Sequence, residues 1–285
     1  MSTQITTAFV EQYKSNVLHL AQQKGSRLRD TVKYTPVTGK SHFYEAIGAV
    51  AASVRTTRHS DTPQVNTPHS RRKVSLVDYD WADLIDQEDK VKMLISPTSE
   101  YAMAGANAMG RAMDDAIIAA ASGAAAGGVA GATSIALPTS QKIAGGTTGL
   151  TLDKLLSAKE IIDSSDADPS ESRFLVCSAK QITDLLGTTQ VTSSDYNSVR
   201  ALASGQIDTF LGFKFIRSER LAVASSIRSC LAYTESALGL AVGADITTRI
   251  SERDDKNYAT QVFLSMVIGA TRIEDDKLVE IGAKE

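Results

Sequence analysis

Apolar positions recur along the chain with two different periods, and the change of period marks out its elements. Residues 42–54, opening His42-Phe43-Tyr44-Glu45, and residues 71–81, opening Arg71-Arg72-Lys73-Val74, read as two strands of one long hairpin over 42–85. In the return strand Val77, Tyr79 and Trp81 alternate with Asp78 and Asp80, the period of two expected of a half-buried strand. The connector holds Asp61, Pro63 and Pro68, and one this long inside a compact domain is expected to be functional or mobile. Over 97–122 the period changes to that of a helix. Ser96 stands at the N-cap, Pro97 at the first helical position and Glu100 in the first turn, where it complements the helix dipole. Glu100, Asn107, Arg111, Asp114 and Asp115 fall on one stripe. Tyr101, Gly105, Ala106, Met109, Ala112, Met113, Ala116 and Ile117 cover the rest. A helix of about 26 residues is about 39 Å long.

The flanking regions follow the same logic. Phe9, Tyr13, Val17 and Leu20 predict a short amphipathic helix in an N-terminal arm, one that needs a partner surface. Residues 123–149, rich in Gly, Ala, Ser and Thr, read as a surface loop or short hairpin. Leu152, Leu155, Leu156 and Ile162 mark a second helix ending before Asp168-Pro169. Strands are predicted at 173–177, 211–216, 229–233, 246–253, 258–268 and 278–281, the two long ones joined at Asp254–Asn257. Ser178-Ala179-Lys180-Gln181 is a capping box opening a helix that ends at Gly187. Short helices are expected at 194–203 and 236–242. The fold class is therefore α+β, without internal repeats.

Composition narrows the function. A chain of 285 residues with 42% hydrophobic content can build one large domain or two small ones. A net charge of −3 argues against a dedicated nucleic-acid binder. Cys177 and Cys230 sit in apolar strand-like runs and read as buried free thiols. No apolar run approaches the roughly 20 residues that span a bilayer, and the polar N-terminus has no signal-peptide pattern. The chain is expected to be made in a cytoplasm and to stay soluble.

Signals for catalysis are missing. The Gly-rich stretch Gly123–Ser134 has no lysine where a phosphate loop needs one and follows a helix instead of a strand. The carboxylates between Asp78 and Asp89 lack the spacing and turn glycine of a calcium loop. His19, His42, His59 and His69 show no paired metal-ligand spacing. No catalytic, cofactor-binding or metal-binding residue is expected. Charge is more informative. Residues 55–73 hold Arg55, Arg58, Arg71, Arg72 and Lys73 against Asp61 alone, whereas 78–89 hold Asp78, Asp80, Asp83, Asp86, Glu88 and Asp89 and no basic residue. Local nucleic-acid contact and a solvated hairpin are two readings. Charge complementarity between subunits is favoured, because interface charges fix register and partner choice. Arg55, Arg58, Arg71, Arg72, Lys73, Asp78, Asp80, Asp86, Glu88, Asp89 and Arg111 form the expected subunit-interface set.

The order of parts resembles a known family. Val77-Asp78-Tyr79-Asp80-Trp81-Ala82-Asp83-Leu84-Ile85-Asp86, Ser96-Pro97-Thr98, Ala108-Met109-Gly110-Arg111-Ala112-Met113-Asp114 and Gly212-Phe213-Lys214-Phe215-Ile216-Arg217-Ser218 look like segments of tailed-bacteriophage major capsid proteins with the Hong Kong 97-type fold. Gly269-Ala270 and the charged residues after it resemble that family's closing region. The resemblance implies an N-terminal arm (1–41), an extended loop (42–85), a peripheral domain (86–150 and 244–285) with a spine helix (97–122), and a mainly axial domain (151–243). It implies an icosahedral shell of pentamers and hexamers around packaged double-stranded DNA, with possible separate scaffolding, portal and decoration proteins. Assembly would take place in the host cytoplasm. Residues 56–70 contain no lysine, which departs from members that crosslink a loop lysine. An encapsulin-like bacterial compartment shell and a soluble α/β enzyme are the alternatives.

Overall fold

The computed structural model describes residues 22–58, 61–62, 64–86, 98–165, 167–187 and 209–285. The helices expected at 9–20 and 194–203, and the Ser96-Pro97 helix start, lie outside the described residues. Strands run in chain order β1 (Lys33–Pro36), β2 (Ser41–Ile47), β3 (His69–Ser75), β4 (Val77–Ile85), β5 (Ala125–Gly127), β6 (Thr133–Ile135), β7 (Lys142–Ile143), β8 (Arg173–Cys177), β9 (Thr209–Phe210), β10 (Phe213–Arg217), β11 (Val223–Ala224), β12 (Ile227–Thr234), β13 (Leu238–Arg253), β14 (Ala259–Arg272) and β15 (Leu278–Lys284). The helices are α1 (Thr98–Ser122), α2 (Leu152–Ser164) and α3 (Ala179–Leu186). The chain forms two units. The first takes Met1–Ser26, Val77–Met113 and Gly243–Ile268, and the second Arg27–Leu76, Asp114–Val242 and Gly269–Glu285.

In the first unit β4 runs antiparallel to β14, from Val77 opposite Ile268 to Ile85 opposite Thr260. Along β14, Thr260, Val262, Leu264, Met266 and Ile268 are buried while Gln261, Phe263, Ser265 and Val267 stay half-open, the alternation of a sheet with one covered face. Helix α1 covers that face. A Cβ on Gly105 would lie 2.6 Å from the Trp81 ring and 2.7 Å from Leu264, so glycine is required for the close approach. Met109 and Met113 are buried, as is Ile117 further along the helix, while Ala112 is half-buried.

The second unit is built on a sheet of order β7-β15-β12-β8-β10-β9, with β11 on β12. β8 and β10 are parallel, as are β7 and β15, and β12 is antiparallel to both its neighbours. Leu175, Val176, Leu231, Ala232, Val279 and Ile281 make its buried core with Leu155, Ala158 and Ile162 of α2 and Leu185 of α3. The predicted capping box forms: the Ser178 N–H and hydroxyl both donate to Gln181 Oε1, the N–H at 3.0 Å. A smaller sheet, β2-β3-β5-β6, completes the unit. Its β5–β6 pair is the glycine-rich stretch, turning through Gly128 and Gly131 at positive φ.

Two expectations are corrected. The hairpin's return strand stops at Ser75, and residues from Val77 pair with β14 instead. The Leu76 N–H bonds to the Lys40 carbonyl, closing the hairpin base. The alternating stretch beyond it needs a covered face, which the first unit supplies. Residues 236–242 are not an α-helix, and only a single 3-10 turn, Glu235–Ala237, precedes the strand. Leu238–Val242 open β13, and Gly239–Val242 pair in parallel with Lys33–Pro36 of β1. A short apolar run buried on all sides has no periodicity to separate strand from helix.

Candidate assembly interface

Alternation along β2 and β3 sorts the basic hairpin into two faces. Glu45 lies opposite Arg71 and Phe43 opposite Lys73. On this outer face Arg71 pairs with Glu45 and its guanidinium sits 4.8 Å from the Phe43 ring centroid, with the Lys73 ammonium 6.0 Å from the same ring. The guanidinium beside it holds the Glu45 carboxyl below the usual glutamate range. Arg71 Nη1 also donates to the Val129 carbonyl at 3.3 Å. A groove of about 700 Å³ opens here, lined by Glu45, His69, Arg71, Arg72, Val129 and Ile135 among others.

The inner face is different. Tyr44 and Val74 are buried with Val37 and Ala241, and Leu76 and Ile273 pack against them. Arg72, one residue from Arg71, points into this side and pairs with Asp275 at 2.7 Å. Asp275 also accepts from Arg272 Nε at 2.5 Å. The fully buried Arg272 guanidinium donates to the carbonyls of Ala121, Gly123 and Ile135, holding the C-terminal end of α1 to β6. Arg72 is thus engaged within its own chain. Arg272 was missed by sequence reasoning. The one available signal was a cation closing a long apolar strand.

Between β2 and β3, every described residue from Gly48 to Pro68 is exposed, including Arg55, Arg58 and Val54, the last at 88%. The Gly48 N–H bonds to the Pro68 carbonyl at 2.9 Å where the connector departs. Arg55 Nε donates to the nearby Thr57 carbonyl at 3.1 Å. In the first unit Asp78 and Asp80 are exposed on the face of β4 opposite the buried one, and Asp86 is exposed just beyond the strand. Glu88 and Asp89 lie outside the described residues.

The polar stripe of α1 is not a solvent face. Asn107 Oδ1 accepts the Gly25 N–H at 3.1 Å. Asp114, at 0% exposure, accepts the N–H groups of Arg27 and Leu28 at 3.1 Å. Arg111 Nη1 donates to Gln22 Oε1 at 3.0 Å and to the Gln23 carbonyl at 3.3 Å, and Asp115 pairs with Arg220. Residues 22–28 therefore run along this stripe. Asp114 is buried, and Arg111 is held within its own chain. A helical wheel cannot distinguish a stripe facing water from one facing backbone N–H groups, since both need polar side chains.

Cys177 and Cys230 are buried and free, and burial pushes both thiols up, that of Cys230 to about 12, which suppresses the reactive thiolate. Among the described residues no three His, Cys, Asp or Glu side chains are grouped to hold a metal. No helix of the described residues is long and apolar enough to cross a membrane.

The family model for phage capsid protein matches residues 5–285. The structure is similar to the capsid of Ralstonia phage GP4 (TM-score 0.76, 9% identity, 97% of this chain and 95% of that one). It is also similar to the capsid of cyanophage P-SCSP1u (TM-score 0.75, 18% identity, 99% and 94%) and to a chain from Mycobacterium phage Che8 (TM-score 0.72, 16% identity, 96% and 97%). The shared architecture is the Hong Kong 97-type fold. No curated protein sequence matches the chain.

Proposed function

We propose, from the premise that this chain belongs to the phage capsid protein family and is a major capsid shell subunit, that it closes an icosahedral head from rings of five and six copies. Heterologous contacts that close by rotation give such rings. In this reading β2, β3 and their connector are the extended loop, α1 is the spine helix, the first unit is the core of the peripheral domain, and the large sheet of the second unit is axial. The single observation that carries it is the connector: a segment with arginines and exposed valines and no buried residue among those described gains burial from a neighbouring copy. Exposed Arg55 and Arg58 with half-buried Arg71 and Lys73 of one copy meet exposed Asp78, Asp80 and Asp86 of another, steering association and register. The subunit works by assembly and not by catalysis. Scaffolding, portal and decoration proteins are separate chains, packaged double-stranded DNA is touched without sequence preference, and assembly occurs in the host cytoplasm.

Electron microscopy of the purified chain, with and without a co-expressed scaffold candidate, tests this. Closed shells or rings of five and six are expected. A monomer or small dimer that persists across protein concentration and salt, with scaffold present, overturns it.

A further inference from the structure

The two halves of β13 have different neighbours. Lys33–Pro36 of β1 run beside Gly239–Val242 and stop there. From Gly243 to Arg253 no strand among the described residues flanks that edge. Every residue from Gly243 to Glu252 is exposed except half-buried Ile246. Open edges present unpaired N–H and C=O groups, and proteins usually blunt them with lysine, proline or a bulge. The run Gly243-Ala244-Asp245-Ile246-Thr247-Thr248-Arg249-Ile250-Ser251-Glu252-Arg253 has neither lysine nor proline and is rich in strand-forming Ile and Thr.

The backbone shows which residues face the opening. The Val242 carbonyl accepts the Val37 N–H at 2.9 Å on the β1 side. Alternation then turns the backbone groups of Ala244, Ile246, Thr248 and Ile250 to the same side. The Ile246 N–H is occupied by Asp245 Oδ1 at 2.9 Å, a local cover where no strand is present.

We infer that this edge pairs with the same edge of a second copy, antiparallel about a two-fold axis through Thr247. The inference rests on the shell-subunit reading and names one of its contacts. In this register Asp245 lies opposite Arg249 of the partner subunit, and the two-fold axis repeats the pair. Ala244 meets the partner's Ile250, and Ile246 meets the partner's Thr248. Asp245, Thr247 and Arg249 stay on the face where Thr247 bonds to Ser265 Oγ at 3.0 Å, and the apolar residues stay together on the other. The paired stretch Gly243–Ser251 begins where β1 ends, so β1 keeps its place. When Asp245 turns to the partner's Arg249, the Ile246 N–H passes to the partner's Thr248 carbonyl and no donor is left unpaired. A register about Arg249 would oppose two guanidinium groups. One about Thr248 would lose both ion pairs.

Single cysteines in assembled particles test the register, since Cys177 and Cys230 are buried. Self-opposed residues in an antiparallel pair have Cα atoms about 4.5–5.5 Å apart, within disulfide reach. Under mild oxidation Thr247→Cys is expected to give a disulfide-linked dimer on a non-reducing gel, at least about ten-fold more than Thr248→Cys or Ser251→Cys. As a second arm, Asp245→Arg should lower particle yield and Arg249→Asp in the same chain should restore it. Particles of normal size in which Thr247→Cys stays monomeric overturn the inference, as does stronger crosslinking through Thr248→Cys. Absence of particles from the unaltered chain overturns the shell reading itself.

Discussion

Two antiparallel ladders in this molecule, β4–β14 and β2–β3, have similar lengths and different supports. In β4–β14 five consecutive alternate residues of β14 are buried, Leu264 among them beside Gly105 of α1, and the residues Tyr79, Trp81 and Asp83 of β4 on that side are half-buried. In β2–β3 only Tyr44 and Val74 are buried, near the base. On the opposite face Arg71 and Lys73 lie over the Phe43 ring, and beyond Tyr44 the strands are joined by the exposed Arg71–Glu45 ion pair. Burial of a Leu or Met side chain stabilises by about 1.5–3 kcal/mol, whereas an exposed ion pair contributes roughly 0–1 kcal/mol. The first ladder is therefore part of a folding core. The second is a projection whose outer half depends on what it meets.

The largest expected effect breaks the first ladder. Met113→Asp places a charge at a site with 1% exposure and should cost several kcal/mol, preventing soluble folding of the isolated subunit. Circular dichroism and solubility check it, and a well-folded variant would mean that α1 does not seal the sheet. Next comes the base of the hairpin. Val74→Ala removes two carbons from a small buried cluster and should lower subunit stability by about 1.5 kcal/mol in denaturant titration. A cost near zero would make the hairpin a projection from its root. Arg71→Ala should leave the subunit's melting temperature unchanged while lowering shell yield and salt tolerance, because exposed charges steer association more than they hold a chain together. Equal loss of melting temperature and shells would contradict the comparison. The smallest effect is the pH response of Glu45. Arg71 lowers its folded-state pKa, so the contribution of the pair is fully present above the ordinary glutamate range. It is lost as pH falls through the folded value. Carbon-detected NMR titration of the subunit should find this carboxyl titrating below the usual glutamate range, and Arg71→Ala should return it there.

The comparison also explains what was legible. The period of two at Tyr79 and Trp81 and the buried Met109 and Met113 of α1 were readable because a covered face imposes period on sequence, whereas Val77, at the start of β4, stays exposed. The capping box at Ser178–Gln181 was readable because its chemistry is local. The end of the hairpin at Ser75 was not, since strand pairing is decided by partners far along the chain and both choices of partner accept the same alternation. Of the interface set, Arg71 and Arg72 look alike in sequence. One residue of pleat sends the first outward to Glu45 and the second inward to Asp275.

By itself the sequence determined the α+β class, the long small-residue helix, most strand positions, the apolar thiols and the separation of basic from acidic segments. These follow from local periodicity and composition. Tertiary structure decided which polar residues are buried. Asp114 and Asn107 share one stripe of α1 in sequence, and the fold buries both against the N–H groups of Gly25, Arg27 and Leu28. It also left the outer half of β13 with no flanking strand among the described residues, because β1 ends at Pro36 opposite Val242. A hydrogen bond between residues more than eighty positions apart leaves no period in the chain, so only the folded arrangement could show which polar groups are paired and which backbone edge remains open.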